Sequence, residues 1–479
     1  MQSTITLQSL TPALPEIFLA ISICVVLLAD VFAGAAARRI TPTLTLLVIA
    51  LGVALTVFVA AVPGRVELFS GMYVADPLAT LLKLLGFLFT GVALLYSRGY
   101  LEARGLLKGE YYVLVLTALL GIFVIASAGS LLAVYIGVEL LALSLYALVA
   151  FDRDSGVAAE SAMKYFVLGA IASGCLLYGM SLIYGMGGSL LLADLAQHLH
   201  GEPSAGLLMG VVFLVVGIAF KFGAVPFHMW VPDVYQGAPS SVTLFVASAP
   251  KLASFAVAFR LLAGALGNVA ETWTQMIAIV AVASLVLGNV VAIAQTNLKR
   301  MLAYSAIGNV GFILLGFVAG TEQGYEAALY YTVAYVIMTL GSFGVILLAS
   351  RAGYEAEQLD DYKGLHARDP LLALIMMALM FSTAGIPPFV GFWAKLQIFQ
   401  ALWGAGQVWL VVIAAAVSVI GVFYYLRVVK LMYFDAPENA QRSPANAGVR
   451  VALALNAVAV LALGLFPEGL LSLCAKVLS

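Results

Sequence analysis

The chain has 479 residues, of which 63% are hydrophobic and 10% are Asp, Glu, Lys or Arg. Soluble domains average about 45–50% apolar and about 25% charged residues, so a soluble globular enzyme of this size is excluded. With 23 Lys and Arg against 24 Asp and Glu, the formal net charge is −1, which leaves no concentrated basic face for a nucleic acid. The composition is that of an integral membrane protein.

A helix needs about 20 apolar residues to cross a bilayer, and on that ruler the sequence predicts about 14 spans. They lie near residues 12–33, 42–61, 76–97, 111–128, 130–150, 162–185, 205–225, 241–262, 272–294, 301–320, 325–349, 370–402, 407–432 and 450–472. The first run has no basic leader or small-residue cleavage site, so it is expected to be a retained helix. The polar stretches 350–370 and 435–450 are too short for a soluble domain and are expected to be loops. Cys24, Cys175 and Cys474 have no CxxC or CxxH spacing. They therefore suggest small lipid- or helix-facing residues rather than a disulfide, zinc or iron–sulfur framework.

Positive charge fixes the orientation. Fifteen Lys and Arg, among them Arg38, Arg104, Lys299, Lys363 and Arg450, fall on one side, and only Arg65, Arg260 and Lys476 on the other. Both termini are then expected outside, on the periplasmic face of a Gram-negative host. The remaining five lysines, Lys83, Lys164, Lys221, Lys251 and Lys395, fall within the expected spans, and Glu139 is nearly central in the fifth. An ionisable group at mid-bilayer costs about 2.5–3.5 kcal/mol on insertion scales and marks a functional candidate. The bland alternative is snorkelling of a long lysine to the headgroups. That suits Lys83 and, being near a loop, Lys164; it does not suit the short Glu139.

Two of the lysines lie beside prolines. The seventh span reads GIAFKFGAVPFHMWVP from Gly217 to Pro232, and the twelfth reads STAGIPPFVGFWAK from Ser382 to Lys395. Proline removes a backbone donor and clashes with the preceding turn, so each helix is expected to break. A break at membrane depth is tolerated where protein or a wet cavity covers it. Transporters place such breaks at corresponding positions of two repeats, and here they stand about five helices apart. Prolines also kink many spans that transport nothing. The recurrence of break, glycine and lysine argues for a site. His228, two residues past Pro226, is either a packed residue or a relay. Burial disfavours an ammonium and a nearby carboxylate favours it, so separating Glu139 from a lysine partner, Lys221 or Lys164, would let that lysine release a proton.

These segments resemble a known family. FKFGAVPFHMWVPDVYQGAP from Phe220, followed by Lys251, and QTNLKRMLAYS from Gln295 are similar to the seventh to tenth helices of the antiporter-like subunits of respiratory complex I. YIGVELLALSLYALVA around Glu139 and ESAMKYF around Lys164 fit the fifth and sixth. The resemblance covers about residues 75–435, and subunits of multisubunit cation/proton antiporters share the scaffold. Within the family one branch is expected to carry glutamate where this chain has Lys395. Another carries a long C-terminal lateral helix, whereas this chain ends soon after span fourteen. The third branch is the expectation, and the wording PDVYQGAP fits it.

The resemblance implies an all-α polytopic membrane protein with two five-helix repeats broken at helices 7 and 12. Helices 1–3 would occupy 1–110, the repeats 111–262 and 272–432, and the last helix 450–479. It implies a proton-translocating subunit in which Glu139 and Lys221 form a coupling pair. Lys251 would be the central carrier and Lys395 the station nearest the outer exit. Lys164 would match a lysine near the same axis, and His228 the histidine beside the break; Lys83 fits no part of the pattern. No cofactor or metal is expected in this chain, and NADH, FMN, iron–sulfur clusters and quinone would belong to other subunits. Its partners would be a neighbouring antiporter-like subunit, small membrane subunits and lipid, with no nucleic acid. A stand-alone sodium/proton antiporter subunit and an inactive structural spacer are the competing readings.

Overall fold

A computed structural model describes residues 7–60, 64–201, 203–437 and 447–478. Among these, 13 helices are long and apolar enough to cross a membrane. A further span, the twelfth, is built from two pieces, Pro370–Ala384 and Val390–Gly404. The all-α expectation holds, with one small hairpin, Val66–Leu68 paired antiparallel to Tyr73–Ala75, between the second and third spans.

Polar caps decide where several helices begin. A helix leaves its first backbone N–H groups unpaired, and an Asp, Ser, Thr or Asn side chain just before it can accept from them. Asp76, Ser130, Ser155, Ser204, Asn297, Thr321 and Asp369 all do so. Capping by Ser155 explains one correction. The sixth span runs Gly156–Gly187 and starts a turn and a half before the apolar run that begins near 162. The third span likewise runs on to Ala103. At the other end of the chain, the fourteenth span stops at Leu465 and a separate helix follows at Glu468–Leu478. The sequence reading had merged the two; Pro467, lacking an N–H, divides them. Of the expected loop 435–450, residues 438–446 lie outside the described residues.

Burial divides the spans. In the tenth (Leu298–Val318) and eleventh (Glu322–Ala349), 94% and 89% of the apolar window is inside the protein, against 22%, 28% and 17% in the first, second and last. A helix that is apolar all round belongs in a core; the tenth span packs on Trp230–Gly237 and on Val390–Gly404, and the eleventh packs on both pieces of the twelfth. Ile21, Phe58, Val419 and Val458 point outward from the peripheral spans, as lipid-facing residues do.

Candidate functional site

The seventh span, Ala205–Phe222, ends where Gly223 takes φ +74°. That conformation strains any residue with a Cβ, and a Cβ here would also lie 2.4 Å from Val231 Cγ2. A cis Val225–Pro226 bond follows, and the chain resumes as the helix Trp230–Gly237. The break frees the carbonyls of Lys221 and Phe222, and side chains meet both of them and also the Phe220 carbonyl, which accepts the Gly223 N–H at 2.9 Å. Trp230 Nε1 donates to the Phe220 carbonyl at 3.1 Å, Ser254 Oγ to Lys221 at 3.1 Å and Lys251 Nζ to Phe222 at 2.8 Å. The freed Val225 N–H donates to Ser284 Oγ at 2.9 Å, from the ninth span. At membrane depth such carbonyls and N–H groups need partners from the protein or from water.

The twelfth span repeats the device. Pro370–Ala384 ends at Gly385 with φ +89°, a cis Pro387–Pro388 bond follows, and Val390–Gly404 continues. Lys395 Nζ donates to the Ala384 carbonyl at 2.8 Å. In both spans, then, a lysine ammonium sits on the carbonyl just before the left-handed glycine, and a cis proline follows three residues later. A helix C-terminus carries about half a negative charge, so each ammonium faces a fixed partial anion.

The eighth span corrects the sequence reading. Rather than one helix over 241–262, it consists of Ser240–Ala247 and Pro250–Ala258, continuing in a wider turn over Phe259–Ala265. Ser248 is the irregular residue, with φ −112° and ψ −95°. The signal was present in Pro250, which has no N–H to return to the preceding turn; Ala249 itself stays helical at φ −51° and ψ −39°, and the chain breaks one residue earlier, at Ser248. Lys251 is thereby the second residue of a half-helix. It is 2% exposed, and its ammonium lies 6.0 Å from the centre of the Trp230 ring.

Glu139 lies on the fifth span, Leu131–Val149. Its Oε1 is buried with no hydrogen-bond partner among the described residues. Among the described residues Glu139 and Lys221 form no contact ion pair. His228 sits in the break, its Nδ1 buried and unpartnered.

One lysine behaves differently from the sequence expectation. Lys83 does not snorkel: it is 3% exposed, and its ammonium pairs with Glu16 Oε1 at 2.6 Å and donates to Tyr73 OH at 3.0 Å. Lys164 lies near a loop, as the sequence indicated, in the third turn of the helix Gly156–Gly187. Its side chain is 46% exposed and pairs at 2.9 Å with both Glu160 and Asp233.

Sequence reasoning missed a buried polar chain beside Lys395. The ammonium lies 5.2 Å from the centre of the Phe312 ring, which stacks on Tyr331 at 5.6 Å. Tyr331 OH donates to Asn309 Oδ1 at 2.7 Å, Asn309 Nδ2 to the Ser305 carbonyl at 2.8 Å, and the Ser305 and Tyr425 hydroxyls lie 2.5 Å apart. Ser305 and Asn309, four residues apart in an apolar helix, were the available signal, since that spacing puts both on one face.

Comparison with known proteins decides the family. Residues 128–421, which hold both breaks and all of the central lysines, match the family described as "NADH:quinone oxidoreductase/Mrp antiporter, TM". The chain belongs to this family. It is 51% identical over 98% of its length to NADH-quinone oxidoreductase subunit N of Nitrosomonas europaea, covering 97% of that protein. Subunit N is the branch toward which Lys395 and PDVYQGAP pointed. A chain of respiratory complex I from Thermus thermophilus, solved with bound aureothin, is 33% identical with a TM-score of 0.83, covering 96% of this chain and 99% of that one. A chain of the Mrp complex from Dietzia sp. shares the fold, with a TM-score of 0.86 at 23% identity over 99% and 97% of the two chains.

Proposed function

We propose that the chain is the proton-translocating membrane subunit of a bacterial NADH–quinone oxidoreductase, a multi-pass protein of the inner membrane. The observation that carries this is the repeated one: at each broken span an ammonium, Lys251 or Lys395, rests on the open carbonyl end of a half-helix. Broken helices whose ends act as fixed partial charges are how transporters build ion sites.

In this reading Glu139 and Lys221 are the coupling pair. When the Glu139 charge is close, the Lys221 ammonium is favoured; when it withdraws, Lys221 gives up its proton. Lys251 is the central carrier, passing its Nζ proton through water toward Lys395, the station nearest the outer exit. His228 lies at the break, where its unpartnered Nδ1 can take or give a proton by way of water. Both termini face the periplasm, with the basic loops in the cytoplasm. The repeats occupy 111–262 and 272–432, flanked by 1–110 and 450–479. NADH, FMN, the iron–sulfur clusters and quinone are held by other subunits. The chain's neighbours are another antiporter-like subunit and small membrane subunits.

The test is NADH-driven proton uptake by inside-out membrane vesicles, with a tag on this chain. Peripheral redox subunits are expected to co-purify with the tag, and Lys395→Ala is expected to lower proton uptake while the complex stays assembled. A compact, all-membrane complex exchanging sodium for protons without NADH would overturn the reading.

A further inference from the structure

We propose that Asp233 is the positioning residue that fixes the inner half of the broken seventh span, and that Lys164 acts through it rather than by carrying a proton. The inference rests on the reading of that break as the transport site.

The segment Trp230–Gly237 has eight residues, and an isolated helix of that length is not stable by itself. Its direction must therefore come from contacts. At its first residue, Trp230 reaches back to cap Phe220, on the carbonyl end where Lys251 also sits. Tyr165 of the sixth span stacks on the Trp230 ring at 4.4 Å. One turn on, Asp233 is held from two sides. Lys164, also of the sixth span, takes Oδ2 at 2.9 Å, and Arg300 of the tenth takes Oδ1 at 2.9 Å. Arg300 also donates to Gln236 Oε1 at 3.2 Å, Ser161 Oγ to the Asp233 carbonyl at 3.0 Å, and Lys299 Nζ to the Ala238 carbonyl at 3.0 Å.

Each carboxylate oxygen of Asp233 is thus assigned to a cation from a different wall of the site. The sixth span packs on the first break. The tenth also supplies Phe312 beside Lys395 and Asn309 in the polar chain beyond it. Asp233 joins the two, so any tilt of Trp230–Gly237 must stretch or exchange one of these pairs. It would also move the Trp230 cap on the helix end that Lys251 shares. Lys164 has a second carboxylate, Glu160 at 2.9 Å, onto which it can shift if Asp233 moves. A half-exposed lysine held between two carboxylates at the basic-loop end is placed to steer a helix. Lys251 and Lys395, which among the described residues each meet a carbonyl and an aromatic ring, are placed differently.

Arginine separates the two roles. A guanidinium can hold Asp233 but keeps its proton at any physiological pH. The experiment compares Lys164→Ala, Lys164→Arg, Asp233→Asn and Lys164→Ala/Asp233→Asn in the assembled complex in inside-out vesicles. NADH turnover and protons taken up per NADH are read across a pH series. Lys164→Ala and Asp233→Asn are each expected to lower proton uptake about two- to fivefold, as loss of a partly exposed ion pair would. The double variant should fall no further than the worse single, because both remove one contact. Lys164→Arg is expected to recover what Lys164→Ala loses, with an unshifted pH profile.

Failure of Lys164→Arg to recover uptake, or full uptake in Asp233→Asn, overturns the proposal and returns Lys164 to the proton path. If Asp233→Asn does not assemble, Arg300→Gln, which releases the other oxygen, is expected to give the same loss, and full uptake there overturns the proposal equally. Lys251→Arg is run alongside. It is expected to stop uptake, and normal uptake in that variant would count against the transport site itself rather than against Asp233.

Discussion

At the seventh span the last helical carbonyl before the turn, that of Phe222, is met by Lys251 from the eighth span. At the twelfth, the corresponding carbonyl of Ala384 is met by Lys395 from the second piece of the same span. The turn is otherwise the same in both, with a left-handed glycine and a cis proline three residues on. The surroundings differ. In the proposed function Glu139 is the partner of Lys221 at the first break, whereas among the described residues Lys395 contacts a carbonyl and an aromatic ring but no carboxylate. The lesson is one of linkage. A cap drawn from another helix makes the first break sensitive to movement between spans, and an acid beside it gives that movement an electrical consequence. At the second break the cap on the last helical carbonyl comes from the same span.

The comparison makes predictions of decreasing size. Lys251→Ala removes the cap that ties two spans and, in the proposed function, a carrier as well. NADH-driven proton uptake through this subunit should fall by about a hundredfold, the scale of losing a positioned acid–base group. Equal residual uptake in Lys251→Ala and wild type would dissolve the distinction between the breaks. Glu139→Gln keeps the shape and deletes the charge, so it should impair the first break alone. Its loss of uptake is expected to be smaller than that of Lys251→Ala and not to deepen when Lys395→Ala already blocks the exit.

Gly385→Ala tests the turn itself. Placing a Cβ in the left-handed region costs roughly 1–2 kcal/mol, which should lower the thermal midpoint of the assembled complex; an unchanged midpoint would mean that the turn relaxes. Trp230→Phe is the mildest change. It keeps most of the ring and loses one hydrogen bond, worth about 1 kcal/mol. A small drop in midpoint with near-normal uptake is the expected result, and a drop as large as that of Gly385→Ala would show that the indole cap matters more than the turn.

Much of this was legible along the chain. Apolar runs located the spans, and Pro226, Pro387 and Pro388 located both breaks, because hydropathy and a missing N–H are properties of the residues themselves. The eighth-span interruption at Ser248 was legible too, in Pro250, but an unbroken apolar run concealed it. The start of the sixth span at Gly156 was obscured for the opposite reason. Polar Ser155 and Glu160 read as loop, yet one caps the helix and the other pairs with Lys164.

Lys83 was the hardest to read. Its partner Glu16 lies on another helix with a full span between them, and only folding brings them to 2.6 Å. A buried pair of this kind is strongly destabilised when one member is removed, by about 3–5 kcal/mol. Lys83→Met is therefore expected to impair assembly well beyond any effect on uptake, which immunoblotting of the purified complex would reveal.

Taken alone, the amino-acid order determined that this is a helical membrane protein with charges at mid-depth and two proline-broken spans. The tertiary structure decided which of those charges face a helix end, which are paired off and which reach the surface. The reason is range. Bilayer crossing and helix breaking depend on neighbours a few residues away, whereas the partner of a buried ammonium is whatever distant backbone or side chain the packing brings within about 3 Å.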